Sequence, residues 1–321
     1  MEPQSEAVNR ILAGIESVDG LTKEILAKLQ AEHAGRVRIE ISQFTVDRSD
    51  YERWSEKLEC YGVEYDAQSA RLIIKGHPHP AHQGPCVIMS PWFHQVASSL
   101  SVHGSHFVPA GAQSIDLSGP YEGSEKAPDD CILCPLTGFP LIVLEVGNSE
   151  TMADLFRDAE HWLNGTLGVT ELVILINIKQ KRPPCTLDPS CSSSWGLTPD
   201  QIRNIGSVTA LSNHIVRWYR DQNIPFVEKC KADVYFCSKA NPRPGQPIWS
   251  CDLSPDDDEE SDGGTFVSLH EFLTEDHQLC LRGVRVPLPF NQNFQTTMKT
   301  FLQHEERKKA VQRARKKFAE L

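Results

Sequence analysis

The sequence has no apolar run long enough to cross a bilayer as a helix, which argues against a membrane-spanning segment. Residues 1–30 carry Glu2, Glu6 and Glu16, where a signal peptide would be basic and then apolar. A surplus of positive charge is also missing, since the formal net charge is -11. We therefore expect an intracellular protein of the cytoplasm or nucleus, in which any nucleic-acid contact comes from a local basic patch.

Cysteine pairs at the spacing of a zinc site are missing as well. The chain has ten cysteines, of which only Cys131 and Cys134 form a C-x-x-C pair. If these two residues lie in a strand, they face opposite sides of it and cannot converge on one metal ion. We expect reduced thiols and no zinc finger.

What the chain does contain is the composition of a globular protein. Hydrophobic residues make up 40% and charged residues 23% of 321 residues, enough for a full core. The patterns predict an N-terminal helical arm over 1–35 and a core domain over 36–290. They also predict an acidic loop over 256–264 and a charged helix over 291–321.

The core should be built around the short apolar run 141–147, which reads as a buried strand. Thr151 with Asp154 resembles a capping box and begins a helix whose apolar side chains lie at helical spacing through residue 163. A second buried strand is predicted over 171–179. A strand, a helix and a strand at this spacing form a crossover unit, so the two strands should be parallel.

Further elements are predicted before this unit. Residues 76–83 read as a loop and residues 90–100 as an amphipathic helix, followed by strands over 107–117 and 127–133. The order is then a helix, three strands, a helix and a strand. We expect an α/β fold with one mixed sheet and helices on both faces.

The buried strand carries one carboxylate, Glu145, which must have a partner because a carboxylate away from water needs a cation or several donors. A structural ion pair with an arginine is one interpretation. The other involves Asp129, which precedes Glu145 by 15 intervening residues on the neighbouring predicted strand. Carboxylates from neighbouring strands can converge on magnesium, which takes oxygen ligands and keeps several waters.

The residues around these two acids resemble the PD-(D/E)XK nuclease superfamily. The dipeptide Pro128-Asp129 and the apolar strand that bears Glu145 carry the likeness. More narrowly, Lys126-Ala-Pro-Asp129 and Leu144-Glu-Val-Gly-Asn-Ser-Glu150 are similar to a group of fungal members, as is the Asp158 and Trp162 pair on the following helix. The likeness covers residues 78–179.

The resemblance implies a restriction-endonuclease-like fold in which Asp129 and Glu145 bind magnesium, or manganese in its place, for phosphodiester hydrolysis. The superfamily's lysine, two residues after the acid, is replaced here by Gly147. Some members take this lysine from another element, and Lys179 and Lys126 are the candidates. Lys179 is also interpretable as a solvated strand end.

Two further features have two interpretations each. Asp116 could be an additional metal ligand or an ordinary aspartate near a turn. The basic stretch 307–317 could touch phosphates or form a solvated helix with pairs such as Glu305 with Lys309.

The whole chain could be a metal-dependent nuclease with weak or lost activity. Alternatively, it could be a lapsed nuclease fold that serves as a nucleic-acid or protein interaction module.

Overall fold

A computed structural model describes residues 6–32, 38–58, 62–75, 80–101, 106–148, 151–181, 195–222, 224, 226, 229–253, 269–275, 277 and 287–321. The helices are α1 Glu6–Leu12, α2 Lys23–Glu32, α3 Arg48–Leu58, α4 Pro80–Leu100, α5 Met152–Gly165, α6 Pro199–Ile205, α7 Val208–Asp221 and α8 Gln292–Ala319. The strands are β1 Ile39–Glu40, β2 Val63–Asp66, β3 Arg71–Ile74, β4 Val108–Pro109, β5 Ile115–Asp116, β6 Glu125–Lys126, β7 Asp130–Leu133, β8 Pro140–Asn148, β9 Leu172–Lys181, β10 Lys229–Cys237 and β11 Trp249–Leu253.

The larger sheet has six strands in the order β11-β10-β9-β8-β7-β4. Strands β8 and β9 are parallel, with Glu145 opposite Leu175, and the other neighbours are antiparallel. The predicted crossover unit is therefore confirmed. Helix α5 connects the two parallel strands and begins where the sequence predicted, since the Thr151 hydroxyl accepts a hydrogen bond from the Asp154 backbone N–H.

Both faces of this sheet are covered, because β8 is buried along its whole length. Ile142, Leu144 and Val146 pack in one cluster with α4 and the first half of α8, while Val143 packs with α5 in another. Cys131 belongs to the α5 cluster and Cys134 lies against the opposite one. The two cysteines thus lie on opposite faces, as predicted.

A second sheet of five strands has the order β1-β3-β2-β6-β5. Its first three strands share an apolar cluster with α1, α2 and α3, so the N-terminal helices pack on a sheet of their own. The α/β class is confirmed, but the described residues form two sheets where the sequence analysis predicted one. The acidic loop predicted over 256–264 lies outside the described residues.

Two local predictions are wrong. Residues 80–83 belong to α4 and not to a loop, because Pro80 occupies the first helical position, where a missing N–H costs nothing. The predicted strand over 107–117 is split, since β4 pairs in the larger sheet and β5 in the smaller one. No helix among the described residues is long and apolar enough to cross a membrane.

Candidate functional site

Charged side chains from both sheets and from helices α4 and α5 lie close together beside β8. The group consists of Arg38, Glu64, Lys75, His82, Lys126, Asp129, Glu145 and Asp158. With His82 protonated, the four acids are balanced by four bases. We call this group the charge cluster.

Glu145 is held from two sides. Its Oε1 accepts a hydrogen bond of 2.6 Å from Trp162 Nε1 on α5 and lies 3.5 Å from Lys126 Nζ. Its Oε2 lies 3.8 Å from Lys75 Nζ. The partner that burial requires is thus supplied by two ammonium groups and an indole N–H, and not by an arginine.

Lys126 occupies the centre of the buried part of the cluster. Its Nζ lies 3.1 Å from Asp158 Oδ1 and 3.5 Å from Glu64 Oε2, in addition to its contact with Glu145. It also lies over the ring of Trp162, at 5.8 Å from the centroid. Burial would lower the pKa of Lys126, but the three carboxylates raise it, so this lysine stays charged.

Asp158 receives a second cation, because Arg38 Nη1 donates to its Oδ1 at 2.8 Å. Burial would raise the pKa of Asp158, but Lys126 and Arg38 hold it far below its usual range. Asp158 therefore helps to position Lys126, which contacts Glu145 as well.

Lys75 follows the last residue of β3 and joins the two sheets. Its Nζ lies 2.8 Å from Glu64 Oε1 and donates a hydrogen bond of 2.9 Å to the Ala127 carbonyl. Burial would lower the pKa of Lys75, whereas Glu145, Glu64 and Asp129 raise it well above its usual value. Both predicted acids, Asp129 and Glu145, thus favour the charged form of Lys75.

Asp129 is hydrogen-bonded to the backbone of the residue that follows Glu145. Its Oδ2 accepts a hydrogen bond of 2.6 Å from the Val146 N–H and lies 3.2 Å from Nε2 of His82 on α4. Burial would raise the pKa of Asp129, but the charge and hydrogen bond of His82 lower it to about 2. The same pairing raises the pKa of His82 well above its usual value against the effect of burial.

Exposure divides the charge cluster into two parts. The side chains of Lys126, Glu145, Glu64 and Asp158 are 4–5% exposed and form the inner part. Those of Asp129, His82 and Lys75 are 15%, 23% and 27% exposed and form the mouth. A ligand from solvent would meet the mouth first.

The pKa of Glu145 is raised above its usual value. Burial is the largest cause, Lys126 and Lys75 oppose it, and the charge of Asp129 adds to the rise. That the two carboxylates converge on one cation stays a prediction.

Gly147 lies on the same face as Glu145, as the period of two predicts, but it cannot carry the missing lysine. A Cβ at this position would lie 2.6 Å from Cδ1 and 2.9 Å from Cδ2 of Leu155, a buried residue of α5. The packing of Leu155 against β8 therefore favours glycine here, and a larger residue would require Leu155 to move. A lysine for this site has to come from another element.

The structure brings Lys126 to the predicted pair but not the other two candidates. Lys179 Nζ binds Asp233 Oδ2 on β10 at 2.7 Å. Asp116 lies on β5 of the smaller sheet, is largely exposed, and binds Arg48 Nη2 at 2.9 Å. Because these two side chains are engaged elsewhere, they are not placed to act with Asp129 and Glu145.

Sequence analysis missed the contributions of Lys75, Glu64 and Arg38. All three come from the smaller sheet or its edge, far from the motif residues along the chain. One signal was available in the sequence, namely a charged residue at the end of an apolar run. Lys75 directly follows three consecutive apolar residues, and Glu145 likewise lies near the end of an apolar run. The pairing of His82 with Asp129 was missed as well.

Asp129 at the mouth and Glu145 in the inner part are oxygen ligands of the kind that magnesium takes, and one or two carboxylates together with waters suffice for this ion. Both acids raise the pKa of the Lys75 ammonium, which lies 3.8 Å from Glu145 Oε2. Among the described residues, no group of three or more His, Cys, Asp or Glu side chains could hold a metal ion. Any such ion would therefore depend on these two carboxylates and on waters.

Comparison of the chain with protein-family models and with curated protein sequences finds no match.

Proposed function

We propose that this protein is a nuclease-like protein of the PD-(D/E)XK type, with a site for phosphodiester hydrolysis at Asp129, Glu145 and Lys75. The order of elements supports the proposal. Helix α4, the three sheet neighbours β4, β7 and β8, helix α5 and the parallel strand β9 follow the order expected of a restriction-endonuclease-like core. The resemblance assigns the metal-binding role to Asp129, which directly precedes β7, and to Glu145, which lies in β8.

The observation that carries the proposal is the position of Lys75. Its ammonium lies 3.8 Å from Glu145 Oε2, and the charge of Asp129 contributes to its raised pKa. The side chain of Lys75 is 27% exposed at the mouth. A side chain at position 147 would press on Leu155, so Lys75, the residue after β3, is the lysine that would supply the missing charge. Lys126 is charged too, but it is buried behind Glu145.

The raised pKa of Lys75 limits what it does. An ammonium that stays protonated cannot accept the proton of the attacking water, so Lys75 serves as a donor and not as a general base. It would orient a water and stabilise the negative charge that develops on a phosphate oxygen. His82, whose pKa is also raised, adds a second positive charge at the mouth.

Asp129 and Glu145 are the residues that would hold magnesium or manganese. When bound, such an ion would activate water and neutralise charge on the phosphodiester. The inner part of the charge cluster keeps Glu145 in place for this role, through the Trp162 N–H and the Lys126 ammonium.

The experiment is a cleavage assay on labelled single-stranded and double-stranded DNA and on RNA, with magnesium, manganese or EDTA. Wild type is compared with Asp129→Asn and Glu145→Gln, and Asp116→Asn is the matched control because Asp116 lies outside the site. We expect metal-dependent cleavage that both site variants abolish and the control retains. Cleavage that survives Glu145→Gln would contradict the proposal.

A second candidate function is favoured by the neutral charge of the cluster. Glu145 already contacts two ammonium groups, so a divalent ion would have to compete with them. A chain of this kind would keep the fold and act as an interaction module without cleavage. Calorimetric titration with manganese separates the two, since heat that depends on Glu145 supports the nuclease and no heat supports the module.

A further inference from the structure

We propose that the exposed basic face of α8 binds the phosphate backbone of a nucleic acid. The face consists of Arg307, Lys308, Arg315 and Lys316, all exposed. This inference goes beyond the proposed function, because it stands on a surface outside the charge cluster and its test measures binding instead of cleavage.

The sequence concentrates positive charge on this helix in an otherwise acidic chain. Residues 307–317 contain seven Lys and Arg residues and no Asp or Glu, whereas the whole chain has a formal net charge of -11. A local patch of this kind is the form that nucleic-acid contact must take in an acidic protein.

Three of the seven bases have roles in the fold. Lys309 binds Glu305 at 2.5 Å, which confirms that predicted pair, and Lys317 lies 3.5 Å from Glu320. Arg313 lies over the ring of Phe226, at 4.7 Å from the centroid, and donates to the Tyr219 hydroxyl. These contacts fix α8 to its surroundings and account for part of the charge.

The other four bases point to solvent at helical spacing. Lys308 and Arg315 are seven residues apart, so they lie on one side of the helix and about 10 Å from each other along its axis. Arg307 and Lys316 flank this side of the helix, one on each edge, about 100° round from their neighbours Lys308 and Arg315. The result is a broad basic face on a rigid helix, which can contact several phosphates.

A membrane surface is a poorer partner for this helix. An interfacial helix inserts an apolar face, but the apolar side chains of α8 are buried, with Phe294, Met298 and Leu302 in one core cluster and Ala310 and Ala314 in another. The basic face of α8 therefore binds its partner through charge alone.

An acidic protein is also a poorer partner. Stable protein interfaces have an apolar or aromatic centre, and no large exposed apolar side chain among the described residues falls within 307–317. Nucleic acids need no such centre, because counterion release from the phosphates supplies most of the binding energy.

The test uses fluorescence anisotropy with fluorescein-labelled 30-nucleotide single strands of DNA and RNA and a DNA duplex. The full chain is titrated in EDTA at several KCl concentrations, so that cleavage plays no part. The variant Lys308→Gln/Arg315→Gln/Lys316→Gln keeps good helix formers at exposed positions. Its matched control, Lys23→Gln/Lys28→Gln/Lys57→Gln, makes the same charge change at exposed positions of α2 and α3.

We expect the α8 variant to bind at least about fivefold more weakly at 100 mM KCl, with a salt slope smaller by about 2 for a single strand. The control should bind as wild type does, and Arg315→Lys should keep the affinity. Melting temperatures of all variants verify folding. Absence of wild-type binding at 50 mM KCl, equal losses in both triple variants, or binding that the α8 changes leave intact would overturn the proposal, as would a preference for anionic vesicles over all three nucleic acids.

Discussion

The inner part and the mouth of the charge cluster contain the same kinds of residue but differ in access to water. In the inner part, the side chain of Lys126 is 4% exposed and contacts three carboxylates. At the mouth, Lys75 contacts two of the same acids while remaining 27% exposed. The difference teaches that one lysine holds the fold together while the other can reach a ligand.

The largest effect is expected from Lys126→Met, which leaves Glu64, Glu145 and Asp158 with less neutralisation in a buried place. Removing one partner of buried charges costs about 3–5 kcal/mol, because the remaining charges are uncompensated. Urea denaturation should show this loss in the free energy of unfolding.

The control for that measurement is Lys57→Met, at an exposed position of α3. It should change the free energy of unfolding by less than about 0.5 kcal/mol. If Lys126→Met is as mild as this control, the inner lysine does not hold the buried acids, and the division into an inner part and a mouth fails.

A smaller effect is expected from Gly147→Ala. The new Cβ would press on Leu155, and overpacking of this kind costs about 1–3 kcal/mol. Gly245→Ala is the matched control, because no atom lies within 4 Å of its Cβ position. For the same reason Gly147→Lys should destabilise the protein without raising cleavage, and a gain of cleavage in that variant would show that Lys75 does not fill the role.

The smallest expected effect is the pH dependence of stability that comes from the pair of His82 and Asp129 at the mouth. The pKa of His82 is raised in the folded state, so its contribution to stability is complete below the unfolded value near 6.5 and is lost as the pH rises through the folded pKa. The pKa of Asp129 is lowered to about 2, so its contribution is present above about 3.8 and is lost as the pH falls toward 2.

His82→Gln should therefore reduce the free energy of unfolding most at pH 5–6, and the difference from wild type should shrink on the alkaline side. Urea midpoints measured between pH 5 and pH 10 check this, with His94→Gln as the control at an exposed position of the same helix. A difference that grows with pH would mean that the His82 and Asp129 pair is not an ion pair.

The sequence was sufficient for the elements that depend on local pattern. Strand β8, the cap at Thr151, helix α5 and the parallel strand β9 lie where apolar period and turn residues predicted them. The acids Asp129 and Glu145 were found for the same reason, since each lies on or next to such an element.

The partners of these acids could not be predicted from pattern. Glu64 and Lys75 belong to a second sheet of short strands, and which side chains meet across two sheets depends on packing that period and composition do not encode. Lys179 was a reasonable candidate on strand order alone, but β10 supplies Asp233, which binds it. The register that sets Asp233 of β10 beside β9 is not readable from local pattern.

The most direct test of the role of the mouth is the comparison of Lys75→Met with Lys179→Met in the metal-dependent cleavage assay. If Lys75 supplies the lysine that Gly147 cannot, Lys75→Met should lose at least about a hundredfold in rate. Lys179→Met should keep the wild-type rate, because its ammonium binds Asp233. A fully active Lys75→Met protein, or a loss of cleavage confined to Lys179→Met, would contradict the assignment.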